Sequence, residues 1–222
     1  MLSILIPTNN TKYIRELFNS INTQTWDGEF EVIVAVDGCE WCLYELLDMY
    51  EEFEWLNIYY CSKNMGTYKT INTLLELSDG NDKYIFGSDD IMHPDLLKTL
   101  YEVEADFKQT QYWNLHGDKI TLEKSGHHAA GSVWMNQKCI DVLGGYKPWK
   151  YSADTEFVER VKSSFLKHVQ IDKPAFIYRH HSDNLTYSVN QDARVKQRSE
   201  IKWNGYEKHE LKVSYQIGRA HV

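Results

Sequence analysis

Short β-branched runs alternate with amphipathic helical stretches along the first 95 residues, and this alternation leaves the chain few possible folds. Leu2 to Ile6 reads as a buried strand stopped at Pro7, and Tyr13, Ile14, Leu17, Phe18 and Ile21 then fall at helical spacing. Glu31 to Val36 is a second β-branched run ending in Asp37-Gly38. Trp41 to Phe53 has helical spacing, Ile58 to Cys61 is a short strand, Thr67 to Leu77 a helix and Lys83 to Gly87 a fourth strand. Strand and helix in alternation with short connections predict an α/β fold with a doubly wound, mainly parallel sheet. Such sheets bind ligands beyond the carboxyl ends of their strands. The residues there are Pro7-Thr8-Asn9-Asn10, Asp37-Gly38, Ser62-Lys63-Asn64 and Ser88-Asp89-Asp90, so polar and acidic groups converge on one edge.

The second half changes character. After Pro94 a helix carries Leu96, Leu97, Leu100, Tyr101, Val103 and Phe107. Gln111 to His116 and Gly131 to Met135 read as strands, Asp154 to about Phe165 as helix, and Ala175 to Arg179 as a last strand before a His-rich loop. With no internal repeat or low-complexity linker, we expect one domain over 1–216. Its parts are a nucleotide half (1–95), an acceptor half (96–190) and a C-terminal segment (191–216). Residues Ile217 to Val222 are the translation of ATC GGA AGA GCA CAC GTC, the start of a common sequencing-library adapter, and a CAG codon for Gln216 fits the bases before it. The expectation is that these six residues are a read artefact, that the natural protein continues past Gln216, and that they should be kept out of fold reasoning. Synonymous codons differing from the adapter at the 3′ end would refute it.

A net charge of −8 argues against general affinity for nucleic acid or anionic membrane. No run of about 18 apolar residues exists, so no transmembrane helix is expected. The N-terminus enters a strand without a basic region before an apolar one, which reads as no signal peptide. These features predict a cytoplasmic protein without an integral membrane segment, leaving peripheral attachment open. Cys39 and Cys42 form a Cys-x-x-Cys spacing, while Cys61 and Cys139 stand alone. Reduced thiols are the expectation, ahead of a zinc site or redox pair.

The acidic tip is the chemical centre of the sequence. An apolar run, Tyr84-Ile85-Phe86, ends in Gly87-Ser88-Asp89-Asp90, and Pro94 opens the next helical pattern. Adjacent buried carboxylates repel, and a divalent cation would remove that repulsion and leave a site for a diphosphate. An acidic loop with a helix cap is the alternative for an isolated Asp-Asp.

Taken together, these residues resemble the inverting, family 2-type glycosyltransferases of GT-A fold. The matching pieces are Ser3 to Asn10, Gln24-Thr25, Glu31 to Gly38, Asn64-Met65-Gly66, Asn72, Tyr84 to Pro94, Leu143-Gly144-Gly145-Tyr146 and Ala153-Asp154, in the family's order. The resemblance implies that Asp37 accepts a hydrogen bond from the uracil of a UDP-sugar, near Pro7, Thr8 and Asn10. It implies that Asp89 holds the ribose or sugar, that Asp90 binds Mn²⁺ or Mg²⁺ bridging the diphosphate, and that Asp154 is the general base. Helix N-capping is the competing reading of Asp154. The segment Tyr178 to Thr186 resembles an Arg-x-His-x-x-Asn pattern, implying His181 as a metal or diphosphate ligand and Arg179 as an anion contact. Lys69 could reach a phosphate or be a solvated helix lysine. His127, His128, Trp113, Trp134 and Trp149 lie in the half expected to face the acceptor.

The sequence departs from the family pattern at Asn9, Val36, Cys39 and Ala153, where an aromatic, an aspartate, a serine and a glutamate are common. The function implied is a metal-dependent transfer of a hexose or N-acetylhexosamine from a UDP-sugar to a glycan or glycoconjugate. A catalytically silent carbohydrate-binding scaffold of the same fold is the alternative from another class. A nucleotidyltransferase is disfavoured because Pro7 to Asn10 is no Gly-rich triphosphate loop.

Overall fold

The computed structural model describes residues 1–123, 127–185, 187, 190–201, 207–211 and 217–219. Four strands, β1 (Leu2–Thr8), β2 (Phe30–Asp37), β3 (Leu56–Cys61) and β4 (Asp82–Ile85), run parallel in the order β3-β2-β1-β4. Helices α1 (Ile14–Asn22), α2 (Glu40–Met49) and α3 (Thr67–Leu77) connect them. Alternate residues bury on opposite faces. Ile4, Ile6, Val32 and Val34 pack with Leu17 and Phe18 of α1 and Leu46 of α2. Leu5, Ile33 and Ala35 pack with Ile71 and Leu74 of α3. Burial on both faces is why these strands read as continuous apolar runs. The register pairs Thr8 with Val36 and Asp37 with Cys61, which levels the carboxyl ends along one edge.

The sheet continues without a break into the second half. Beyond β4 come β8 (Val133–Asn136), β6 (Phe107–His116), β9 (His168–His180) and β5 (Ile91–Met92), with β7 (Lys119–Leu122) forming a hairpin on β6. β8 is antiparallel to both β4 and β6, whereas β6 and β9 are parallel. The remaining helices are α4 (Leu96–Tyr101), α5 (Gln137–Leu143), α6 (Ala153–Lys162) and α7 (Gln191–Ser199). The backbone of β10 (Ile217–Arg219) lies antiparallel along β3. Among the described residues no helix is long and apolar enough to cross a membrane.

Three expectations are corrected. The helix after Pro94 stops at Tyr101, because Lys108 Nζ reaches back 2.8 Å to the Leu100 carbonyl at the helix end. Phe107 instead opens β6 and packs on Phe157, 6.1 Å between ring centres. The last strand begins at His168 rather than Ala175, and its register against β6 shifts around Pro174, as a proline inside a strand requires. Trp134 faces no acceptor: it is 1% exposed, with its indole N–H on Asp82.

Leu143-Gly144-Gly145-Tyr146 is held by two buried side chains. Asn72 of α3 donates to the Tyr146 carbonyl at 2.8 Å and accepts its N–H at 2.7 Å. Arg160 of α6 donates to the carbonyls of Leu143 and Gly145, both at 2.7 Å, and bonds Glu156 through Nε. Asn72→Ala should orphan two buried backbone groups and cost about 1–3 kcal/mol for each. The expected result is a lower urea midpoint with an unchanged slope. An unshifted midpoint would show that the loop is held elsewhere.

Candidate active site

The tip after β4 is built around Gly87. The place a Cβ on Gly87 would take is 3.0 Å from Asp89 Oδ1 and 3.0 Å from Asp90 Oδ2, so two carboxylate oxygens face one small space that glycine leaves open. Asp90 is 3% exposed, and its Oδ1 accepts the backbone N–H of Arg179 at 2.9 Å. Burial and the neighbouring Asp89 carboxylate push the Asp90 carboxyl well above the usual range, against the opposing pull of Arg179. Asp89 Oδ2 receives His181 Nε2 at 2.8 Å and Asn184 Nδ2 at 3.0 Å. Asp183 N–H donates to His181 Nδ1 at 3.3 Å, which assigns the imidazole proton to Nε2, facing Asp89. Among the described residues no three His, Cys, Asp or Glu side chains are grouped so as to hold a metal ion. A cation here would need oxygens from elsewhere, and a diphosphate carries them.

Arg179 sits at the tip in a different role from the one expected. Its Nε donates to the Asp89 carbonyl at 3.0 Å, its Nη2 pairs with Glu16 at 2.6 Å, and its guanidinium lies 4.2 Å over the Tyr13 ring. It braces the acidic turn instead of presenting a free cation to an anion. His181, expected as a metal or diphosphate ligand, meets Asp89 at the tip. His180 turns elsewhere, bonding Asn114 and Tyr187 and stacking on His116 at 3.9 Å. The expected pattern reached Thr186, which lies outside the described residues.

Asp37 ends β2 and is 4% exposed. Its Oδ1 accepts Met65 N–H at 2.7 Å and its Oδ2 accepts Gly66 N–H at 2.9 Å. The next residue, Gly38, has φ 71°, and a Cβ there would run into the Asn64 backbone, so only glycine lets the β3–α3 loop come this close. Asp37 therefore fixes that loop, with only its remaining lone pairs open to a base. Thr8 Oγ1 donates to the Asn10 carbonyl at 2.9 Å, and the Asn10 side chain accepts Lys12 N–H at 3.0 Å. With half-buried Pro7 they form a turn at the end of β1. Lys69 is exposed in the first turn of α3.

Asp154 stands in the first turn of α6 but does not cap it. The N-cap is Ser152, with φ 60° and ψ 16°, and its side chain makes no capping bond. Among the described residues Ser152 is the one non-glycine with positive φ, a conformation costing about 1–3 kcal/mol and found disproportionately at functional sites. Asp154 Oδ1 accepts Thr155 N–H at 2.7 Å, and Oδ2 lies 3.9 Å from where a Cβ on Gly131 would stand. Burial, followed by the Asp154 charge, raises the Tyr68 phenol well above its ordinary value. Neither Tyr68 nor Asn184 was assigned a role from sequence. Asn184 stood in the Arg-x-His-x-x-Asn pattern, while nothing in the sequence pointed to Tyr68.

The cysteines also differ from expectation. Cys39 and Cys42 are joined in a disulfide with Cα atoms 5.3 Å apart at the start of α2. Cys61 and Cys139 are buried free thiols, which burial pushes up to about 11 and about 12.

With this geometry in place, comparison with known proteins is informative. The sequence profile described as "Glycosyl transferase family 2" matches residues 3–114, half of the chain. Glycosyltransferase GlyA of Streptococcus pneumoniae is 28% identical over 120 residues, covering 52% of this chain and 17% of that protein. Abequosyltransferase RfbV of Salmonella typhimurium is 32% identical over 117 residues, covering 48% of this chain and 34% of its own length. The chain thus spans a minor part of these curated relatives. Staphylococcus aureus TarS 1-349 in complex with UDP-GlcNAc superposes with a TM-score of 0.72 at 19% identity, over 85% of this chain and 61% of that one. The mannosyltransferase PcManGT of Pyrobaculum calidifontis, in complex with GDP-Man and Mn²⁺, gives 0.63 at 14% identity, over 88% and 61%. At such identities the structural likeness is one of fold. The family match spans Asp37, Asp89 and Asp90, and the chain belongs to glycosyl transferase family 2, with the GT-A fold.

Proposed function

We propose that this chain is a metal-dependent inverting glycosyltransferase, moving a hexose or N-acetylhexosamine from a UDP-sugar to a hydroxyl of a glycan or glycoconjugate. The observation that carries the reading is the Gly87 cradle, where the buried Asp90 oxygen and an Asp89 oxygen face one space at the carboxyl edge of the sheet. Among the described residues no cationic side chain forms an ion pair with Asp90, so its charge is left for a ligand to neutralise. Structural neighbours that hold UDP-GlcNAc, or GDP-Man with Mn²⁺, support a nucleotide-sugar donor.

Asp90 and Asp89 would hold the cation, with His181 and Asn184 fixing the Asp89 carboxylate. A bound divalent cation supplies positive charge to the departing diphosphate. Asp37 keeps the β3–α3 loop in place at the nucleotide edge, beside the Pro7–Asn10 turn. Asp154 takes the proton of the acceptor hydroxyl as it attacks the anomeric carbon opposite the departing UDP, which inverts the configuration. Titration calorimetry of UDP with and without Mn²⁺, together with UDP release from UDP-GlcNAc, tests the proposal. Metal-dependent binding with measurable turnover is expected. Binding without turnover would favour the silent scaffold, and metal-independent binding would remove the cation from the proposal.

A further inference from the structure

Helix α1 runs beside the acidic tip and holds the chain on both sides of it. Near its end, Ser20 Oγ accepts the Met92 N–H at 3.1 Å, and Gln24 just past the helix donates to the His93 carbonyl at 2.9 Å. At its start, Tyr13 and Glu16 reach the acidic pair through β9. The backbone N–H of Arg179 holds Asp90 Oδ1 at 2.9 Å and its Nε holds the Asp89 carbonyl at 3.0 Å, so one residue grips both members of the pair. What aims that guanidinium comes from α1. Glu16 accepts Nη2 at 2.6 Å, and the Tyr13 ring lies 4.2 Å from the guanidinium carbon. The same ring meets His181 at 5.2 Å and 49°, and His181 Nε2 bonds Asp89 Oδ2 at 2.8 Å. Tyr13 thus backs both β9 side chains that fix Asp89.

Two carboxylates share one cation only while their oxygens keep a set separation, and a small ion such as Mg²⁺ tolerates little departure from its preferred geometry. Release of the Asp89 carbonyl would let that residue turn and its carboxylate move with it. A guanidinium is a rigid fork, so holding one nitrogen directs another, which an ammonium cannot reproduce. Exposed ion pairs contribute little to stability, and the Glu16 side chain is 53% exposed, so its effect lies in where it holds Arg179. We infer that Glu16 and Tyr13 are positioning residues that set the affinity of the acidic tip for its divalent cation, acting through Arg179. The inference rests on Asp89 and Asp90 being the cation ligands.

The test is calorimetric UDP binding across a Mn²⁺ series for wild type, Glu16→Gln, Tyr13→Leu, Arg179→Lys and the Glu16→Gln/Arg179→Lys double variant. Arg179→Lys should raise the Mn²⁺ concentration that half-restores UDP binding by about tenfold to a hundredfold, as when a group orienting a metal ligand is removed. Glu16→Gln and Tyr13→Leu should each raise it by about twofold to fivefold. Saturating Mn²⁺ should return UDP affinity to within about twofold of wild type in each, by mass action. The double variant should behave as Arg179→Lys alone, because both substitutions act through one contact. A half-saturating Mn²⁺ concentration unchanged in either Glu16→Gln or Arg179→Lys would overturn the inference. So would a loss of UDP binding that excess Mn²⁺ fails to restore, which marks a general scaffold role, or effects that multiply in the double variant. Wild type that binds UDP equally well without Mn²⁺ would instead remove the cation ligands themselves, a separable failure.

Discussion

Asp154→Asn is expected to cut turnover of UDP-GlcNAc by about 10²–10⁴-fold and to leave UDP affinity nearly unchanged. The asparagine can still accept Thr155 N–H through its carbonyl oxygen, the bond that Asp154 Oδ1 makes at 2.7 Å, so α6 should keep its start. What is lost is the capacity to take a proton. Loss confined to kcat is the signature of an interaction made in the transition state. Equal turnover would remove Asp154 from the mechanism while leaving the fold and the donor site as described. The position also bears a conformational cost, since the helix is entered through a left-handed Ser152. Ser152→Gly should relieve that backbone strain, and the base assignment does not depend on it.

Asp90→Ala is expected to abolish Mn²⁺-dependent UDP binding, read as a loss of the calorimetric difference between metal-containing and metal-free titrations. A companion variant, Asp90→Asn, separates function from stability. Burial and the Asp89 charge raise the Asp90 carboxyl in the fold above its unfolded value. The metal-free fold therefore loses stability as pH rises through the ordinary carboxylate range up to that raised value, and the loss persists above it. Asp90→Asn escapes this penalty, so its urea midpoint should gain on wild type between pH 4 and pH 7 without metal. Saturating Mn²⁺ and UDP should stabilise wild type alone. A metal-free wild type that is more stable than Asp90→Asn at pH 7 would contradict the account.

Much of the nucleotide half could be read directly. α3 starts and stops where its spacing indicated, because Tyr68, Ile71, Leu74 and Leu75 form one apolar stripe after Gly66. β1 and β2 were legible because burial on both faces makes their runs continuous. The second half was harder for physical reasons. α5 has seven residues, too few for a periodicity to emerge, and β7 exposes Ile120 and Leu122, which look like core residues in sequence. Phe107 continued the apolar spacing of α4, and only Lys108 reaching back to Leu100 reveals the end of that helix. At the site, residue types and strand ends were readable, but partners were not. Asp37 meets N–H groups 28 and 29 residues away, and Arg179 reaches Glu16 across 163. Distances of that kind are set by the sheet and leave no trace in local spacing.

The position of β8 has a consequence for how such a chain can diversify. β8 comes from the second half of the sequence, yet it lies between β4 of the first half and β6. Cutting near residue 95 would leave β4 with an open edge, so the two halves cannot be traded between relatives as independent cassettes. A lineage that changes acceptors must do so while keeping the strand framework. The exposed β6–β7 hairpin is the place where substitutions and insertions can accumulate at least cost.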